Sequence, residues 1–266
     1  MQLKHRVAVA GVQLDEIDER IIITGVETGA AKDNISTISL MGEHGSRVTN
    51  KHRDSIDVTV KFTLRIRKKQ MSERETLLER INAWASMGGW LTTNYKPERR
   101  IRVFLAEFAT AGDPWKWTTE YSLVFRACGV PYWQETSGQT ETQSGMSNGT
   151  FTLTNPGTSG AIDVSFLNTS SGTVNTFSIT AGESAILLSN LGLASGETLK
   201  IDRADNGRRA YLRIRIMDTG GSHRSLLEAR DPESDDDLII GTGAQTVSFT
   251  AQRAGTITVK CIGRFA

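Results

Sequence analysis

Apolar and polar residues alternate without interruption over residues 56–67. The apolar positions are Ile56, Val58, Val60, Phe62, Leu64 and Ile66, and the polar positions are Asp57, Thr59, Lys61, Thr63, Arg65 and Arg67. A period of two places the two sets of side chains on opposite faces of a β-strand. The pattern therefore predicts a long strand with one face against a core and the other towards water or a partner.

A helix is predicted shortly after this strand. Ser72 and Glu75 have the spacing of a capping box, and Gly88 and Gly89 can each take the left-handed conformation that ends a helix. The apolar residues between them recur at helical spacing: Leu77, Leu78, Ile81, Trp84 and Ala85. Strands resume over 90–93, 100–110 and 117–128, so the first half is predicted to be an α+β sheet domain, split-barrel-like in form.

Short strands dominate the second half of the chain. The predicted strands cover residues 151–154, 162–167, 176–179, 185–188, 198–202, 210–217, 237–240, 246–250 and 256–262. Asp205-Asn-Gly207 before the alternating residues 211–216 predicts a hairpin. The chain is thus predicted to be mainly β with one α-helix, and its second half to be a β-sandwich of jelly-roll type.

One polar segment divides the two halves. Residues 134–149 contain a single apolar side chain, Met146, so the segment cannot bury enough area to offset its ordering entropy and should be a linker or a surface strand. We expect an N-terminal domain over residues 1–133, a linker over 134–149 and a C-terminal domain over 150–266.

Composition narrows the classes of partner. The 31 Lys and Arg residues nearly balance the 30 Asp and Glu residues, for a net charge of +1, so nucleic acid is not an expected partner. Cys128 and Cys261 are predicted to be buried free thiols, which suits a reducing cytoplasm. The apolar run 7–12 is too short for an export signal or a membrane anchor.

No catalytic, cofactor-binding or metal-binding constellation is visible. The four histidines, His5, His44, His52 and His223, form no metal-binding spacing with one another or with cysteine. The acidic run Asp231–Asp237 is the best metal candidate by composition, but it lacks the central glycine and distal glutamate of a calcium loop. We expect a solvated acidic loop, no cofactor and no enzyme.

Basic and aromatic clusters in the first half point to contacts instead. Residues 65–69 and 96–102 are rich in Lys and Arg, and Glu73, Glu75, Glu79 and Glu98 lie nearby in sequence. We expect mixed-sign pairing across a subunit contact. The segments Asp113–Trp117 and Val130–Trp133 place aromatic residues beside prolines. The sequence leaves open whether these plug a core or anchor an interface, and sugar stacking is a third, less favoured role in this half.

The order of these elements resembles the distal tail proteins of long, flexible-tailed bacteriophages. The resemblance rests on the strand over residues 56–67, the helix ending at Trp84, Gly89-Trp-Leu91 and the strand closing at Trp133. In the second half it rests on residues 155–158, 196–202, 238–243 and 246–250. It implies a galectin-like C-terminal β-sandwich.

The resemblance also implies a function. In that family the N-terminal domains close into a hexameric ring that joins the tail tube to tail-tip, fibre or receptor-binding proteins. It implies a virion protein assembled in the host cytoplasm, without catalytic residues. A ring needs two different patches on each subunit, and we expect them within residues 20–69 and around Trp115, Trp117 and Trp133.

Two other classes of function remain open. The C-terminal half could be a carbohydrate-binding β-sandwich acting in host-surface adhesion, or the chain could be a glycan hydrolase with scattered carboxylates. The C-terminal half contains one tyrosine, Tyr211, and no tryptophan, which disfavours both.

Overall fold

The computed structural model describes residues 5–30, 32–38, 47–66, 71–111, 118–205 and 208–266. The strands are β1 (Val7–Val9), β2 (Val12–Gln13), β3 (Ile21–Thr28), β4 (Asp33–Ile38), β5 (Arg47–Arg53), β6 (Ile56–Arg65), β7 (Gly89–Thr93), β8 (Lys96–Ala111), β9 (Thr118–Ala127), β10 (Trp133–Glu135), β11 (Gln139–Asn155), β12 (Ser159–Asn168), β13 (Phe177–Ala181), β14 (Ser184–Leu188), β15 (Thr198–Asp205), β16 (Ala210–Met217), β17 (His223–Ser225), β18 (Ile239–Ile240) and β19 (Gly243–Phe265). The one α-helix of the described residues is α1 (Met71–Ser86). The fold is mostly β, as predicted.

The chain divides into two compact units. Unit 1 comprises Met1–Trp133 and Asp205–Ala210, and unit 2 comprises Gln134–Ala204 and Tyr211–Ala266. The segment read from sequence as a linker or a surface strand is strand from Gln139 onwards. The domain limits given above remain predictions.

Unit 1 is built on antiparallel strands in the spatial order β2–β1–β7–β8–β9–β6–β3. The long strand β8 serves two neighbours in succession. Its residues up to Val103 pair with β7, and its residues from Phe104 pair with β9. A bulge between Leu105 and Glu107 follows this change of partner, as expected where a strand bends.

Alternation along β6 gives unit 1 its core, as predicted. The apolar set from Ile56 to Leu64 is buried at every second position. Phe62 stacks on Tyr121 of β9, with ring centroids 5.4 Å apart. Trp84 of α1 meets Phe125 edge-on at 6.0 Å, so the helix packs on the same buried face of the sheet.

Helix α1 follows the predicted stripe and end. Leu77, Ile81, Trp84 and Ala85 are buried, and the indole Nε1 of Trp84 donates a 2.9 Å hydrogen bond to the carbonyl oxygen of Val12. Gly88 and Gly89 have φ values of 60° and 106°, which confirms the glycine-based ending. The predicted capping box is wrong. The helix begins at Met71, so Ser72 lies inside the first turn, whereas an N-cap residue precedes it.

Unit 2 is a β-sandwich in which two strands belong to both layers. The amino-terminal part of β11 pairs with the carboxyl-terminal part of β19. That part of β19 also pairs with β12. The carboxyl-terminal part of β11 pairs with the amino-terminal part of β19. That part of β19 also pairs with β13. The buried core between the layers includes Phe151, Phe166, Phe177 and Phe249.

The predicted break between residues 250 and 256 is wrong. β19 runs unbroken for 23 residues, and Gly255 lies within it, paired with Met146 on one side and Asn168 on the other. A Cβ at Gly255 would lie 2.5 Å from both the Phe166 ring and the Leu167 carbonyl oxygen. The glycine therefore allows close packing where the β11–β19 register shifts and does not reverse the chain.

Candidate assembly surfaces

A β-hairpin arm, formed by β4 and β5, extends the β3–β6 pair. Its two strands pair with each other in the described residues, and the backbone amides of Gly29 and Asp54 bond to the carbonyl oxygens of Asp57 and Lys32, respectively, at its base. The side chains of Ile35 and Ile38 are 54% and 48% exposed. A two-stranded hairpin is marginally stable alone in water, so this arm suits a partner contact within the predicted region 20–69.

The polar face of β6 carries ion pairs to its neighbours. Asp57 accepts two 2.7 Å hydrogen bonds from the guanidinium of Arg126 on β9, and Arg126 lowers the pKa of Asp57. Lys61 donates to Glu27 of β3 at 2.5 Å. These cross-strand pairs hold the polar face of the sheet in register.

A basic patch, defined here as Trp90, Arg100 and Arg102, lies where β7 pairs with β8. The register places Trp90 opposite Arg102, and the two guanidinium carbons lie 4.1 Å (Arg100) and 5.6 Å (Arg102) from the centroid of the indole ring. Burial and the charge of Arg102 lower the pKa of Arg100. Within the described residues the Nε atoms of both arginines are buried without an acceptor, and neither guanidinium forms an ion pair there.

Helix α1 carries acidic side chains of two kinds. Glu73 accepts a 2.5 Å hydrogen bond from Arg20, and Arg20 also donates to Asp18 through Nε and Nη2 at 2.8 Å. This contact lowers the pKa of Asp18 to about 2. Glu75 and Glu79, the acidic helix face, are exposed and make no ion pair or hydrogen bond through their side chains in the described structure.

Unit 2 has a charged network on strands β12, β15 and β16. Asp202 of β15 accepts two hydrogen bonds from Arg213 and one from Arg215 of β16. Burial acts to raise the pKa of Asp202, but these arginines outweigh it and lower the pKa. The pKa of Asp163 on β12 is raised by burial and by the charge of Asp202. Because Asp202 is already bound by two guanidinium groups, the network fits a structural role.

The acidic run Asp231–Asp237 is largely engaged by the protein itself. Asp235 accepts from the backbone amide of Ala185 at 2.6 Å, and Asp236 accepts from Arg230 at 2.8 Å. Asp237 pairs with Arg203. In the described residues no group of three or more His, Cys, Asp or Glu side chains could hold a metal ion.

The aromatic candidates have different outcomes. Trp133 is 1% exposed, and Lys96 Nζ lies 4.6 Å from the centroid of its ring, so in this chain Trp133 is a core residue. Trp115 and Trp117 lie outside the described residues, as do His44 and the basic residues 67–69. Trp90 was not predicted as a contact residue, because its position opposite Arg102 depends on the β7–β8 register, which the sequence alone does not encode.

The two cysteines differ from each other. Burial raises the pKa of Cys261 to about 11, as predicted for a buried thiol. The prediction is wrong for Cys128, which is exposed. Cys128 follows Ala127, the last residue of β9, and so falls outside the buried alternation of that strand.

The described part of the chain includes no helix with both the length and the apolar character needed to cross a bilayer. No protein-family model and no curated protein matches the sequence.

Solved structures do match the fold. The Dit protein of phage SPP1, described as a hub of the adsorption apparatus in phages that infect Gram-positive bacteria, aligns with a TM-score of 0.61 at 12% identity. The alignment covers 98% of this chain and 99% of that one. A chain of the phage P2 baseplate in its activated conformation with calcium aligns over 100% of both chains, with a TM-score of 0.53 at 10% identity. The fold is therefore that of the phage distal tail (Dit) proteins.

Proposed function

We propose that this chain is a structural protein of a phage tail tip, a ring-shaped hub that joins the tail tube to tail-tip, fibre or receptor-binding proteins. The observation that carries the proposal is the end-to-end match to the SPP1 hub protein, which includes both units. On this proposal unit 1 forms a homo-hexameric ring and unit 2 is a galectin-like domain. The protein acts in the virion after assembly in the host cytoplasm.

Physical features of unit 1 support an assembling role. A closed ring needs a heterologous contact, in which two different patches of each copy meet. The hairpin arm exposes Ile35 and Ile38, and the charges of the basic patch and the acidic helix face have no ion-pair partner among the residues that the structure describes. An isolated hairpin is only marginally stable in water, and buried Nε atoms without acceptors are unfavourable. A partner surface that pairs with these features would relieve both costs.

The proposed function does not include catalysis. The three carboxylates whose pKa values are lowered, Asp18, Asp57 and Asp202, are each bonded to arginine. Structural ion pairs shift pKa values as catalytic sites do, and here the arginine partners account for each lowered value.

Native mass spectrometry and negative-stain imaging of the full chain test the proposal. A hexamer of 29.1 kDa chains has a mass of about 175 kDa and should appear as a ring with a central hole. A chain that stays monomeric at high micromolar concentration, alone and with purified tail tubes, would contradict it. Tight binding of one glycan class by the full chain, lost in Tyr211→Ala, would instead favour the carbohydrate-binding alternative.

A further inference from the structure

The basic patch on β8 presents two positive charges at a fixed separation. Arg100 and Arg102 are two residues apart on one strand, so their side chains leave the same face about 7 Å apart. The residues between and after them, Ile101 and Val103, are buried on the opposite face. Stacking of Arg100 on Trp90 restricts the guanidinium and reduces the entropy lost when it binds.

The acidic helix face presents two negative charges at a matching separation. Glu75 and Glu79 are four residues apart on α1, about 6 Å along the helix axis. Like charges at this spacing repel each other and weaken an isolated helix. Their exposure leaves both carboxylates open to an incoming cation.

We propose that Arg100 and Arg102 of one copy bind Glu75 and Glu79 of a second copy, and that this double ion pair sets the head-to-tail register of the ring. The inference rests on the proposed ring and names the surfaces that close it. The two patches lie on different elements of unit 1, as a heterologous contact requires. Arginine favours such a contact because its planar guanidinium group can bind a carboxylate through two hydrogen bonds.

The charge balance of the chain supports a second copy as the partner that binds the basic patch. The chain carries 31 basic and 30 acidic residues, so a second copy can supply the negative charge that the basic patch lacks. Arg100 has a lowered pKa because of burial and Arg102, and each arginine gains a compensating anion in the proposed contact. Charge complementarity of this kind selects the partner and its orientation more than it adds raw affinity.

Charge exchange tests the pairing. The variants are Arg100→Glu with Arg102→Glu, Glu75→Arg with Glu79→Arg, and the fourfold combination. Assembly is followed by mass photometry and sedimentation velocity over a concentration series. Each double variant should raise the concentration of half-assembly at least about ten-fold, and the fourfold variant should restore it to within about three-fold of wild type.

Controls separate loss of contact from loss of fold. Glu183→Lys with Glu228→Lys reverses two exposed glutamates of unit 2 and should leave assembly unchanged. The Glu75 and Glu79 variant removes no hydrogen bond or ion pair within the described residues, so it should keep the wild-type near-ultraviolet circular dichroism even if loss of the Trp90 stack disturbs the arginine variant.

The outcomes distinguish this inference from the hub proposal. Rings of wild-type stability in either double variant, or no rescue in the fourfold variant, would overturn the pairing and leave the hub standing. A wild-type chain that forms no ring, alone or with tail tubes, would overturn both.

Discussion

Asp18→Asn tests how the segment before β3 is held to helix α1. Asp18 accepts hydrogen bonds from the Nε and Nη2 atoms of Arg20, each at 2.8 Å, and Arg20 also reaches Glu73 in the first turn of the helix. Asparagine keeps the shape and one acceptor oxygen but removes the charge. We expect the variant to fold and to lose stability in unit 1.

The pKa shift sets the magnitude. The Arg20 contact lowers the pKa of Asp18 from 3.8 to about 2, which corresponds to about 2.4 kcal/mol of differential stabilisation of the charged form. Because the pair is partly open to water, we expect the loss at pH 7 to be about 1–2 kcal/mol.

The pH dependence follows from the direction of that shift. A carboxyl group with a lowered folded-state pKa contributes stability above its unfolded-state value of 3.8 and loses it as the pH falls towards 2. The difference between wild type and Asp18→Asn should therefore be constant near neutral pH, fall to about half at pH 3 and nearly vanish at about pH 2.

Urea unfolding followed by tryptophan fluorescence is the assay. All five tryptophans precede residue 134, so the signal reports unit 1, and urea leaves ion pairs unscreened. Glu120→Gln on β9 is the control, because its exposed carboxylate has no ion-pair partner in the described structure. Equal losses in the two variants, or a loss for Asp18→Asn that persists unchanged at pH 2, would refute the reasoning.

Three further changes test the packing and the thiols. Gly255→Ala forces a Cβ against the Phe166 ring and should cost unit 2 about 1–3 kcal/mol, seen as a lower calorimetric midpoint. An unchanged midpoint would contradict the close approach. Trp84→Phe keeps the ring contact but loses the indole hydrogen bond to the β2 carbonyl. The free energy of unfolding in urea should fall by about 1–2 kcal/mol. A neutral effect would show that water replaces the bond. Under native conditions at pH 8 a thiol reagent should label Cys128 within minutes and Cys261 only on unfolding. Cys261 is protected because it is buried and its pKa is raised to about 11. Rapid labelling of both would be inconsistent with this structure.

The sequence predicted unit 1 well where side-chain periodicity was the whole signal. The alternation from Ile56 and the helical stripe ending at Trp84 each define one buried face, and both faces are in the core. Periodicity cannot tell which neighbour a strand pairs with, so the change of partner along β8 at Val103 was not predicted. The same limit applied to Trp133, whose flanking proline fits a core or an interface equally well.

The gap predicted between residues 250 and 256 was an error in unit 2. It contains Gly255, which in the structure lies inside β19 and leaves room for the Phe166 ring. The basic patch was only partly anticipated. Sequence reasoning grouped Arg100 and Arg102 with other cations, but their stacking on Trp90 depends on the β7–β8 register, which a run of charges does not encode.

The shared strand β19 has a mechanical consequence for unit 2. It is an inner strand of both layers, flanked by β11 and β12 at one end and by β11 and β13 at the other. Loss of the whole strand would remove an inner strand from each layer, so the two layers depend on it together. Under tension applied at its carboxyl end, β19 should separate from β12 before it separates from β13, because the β12 pairing lies nearer that end.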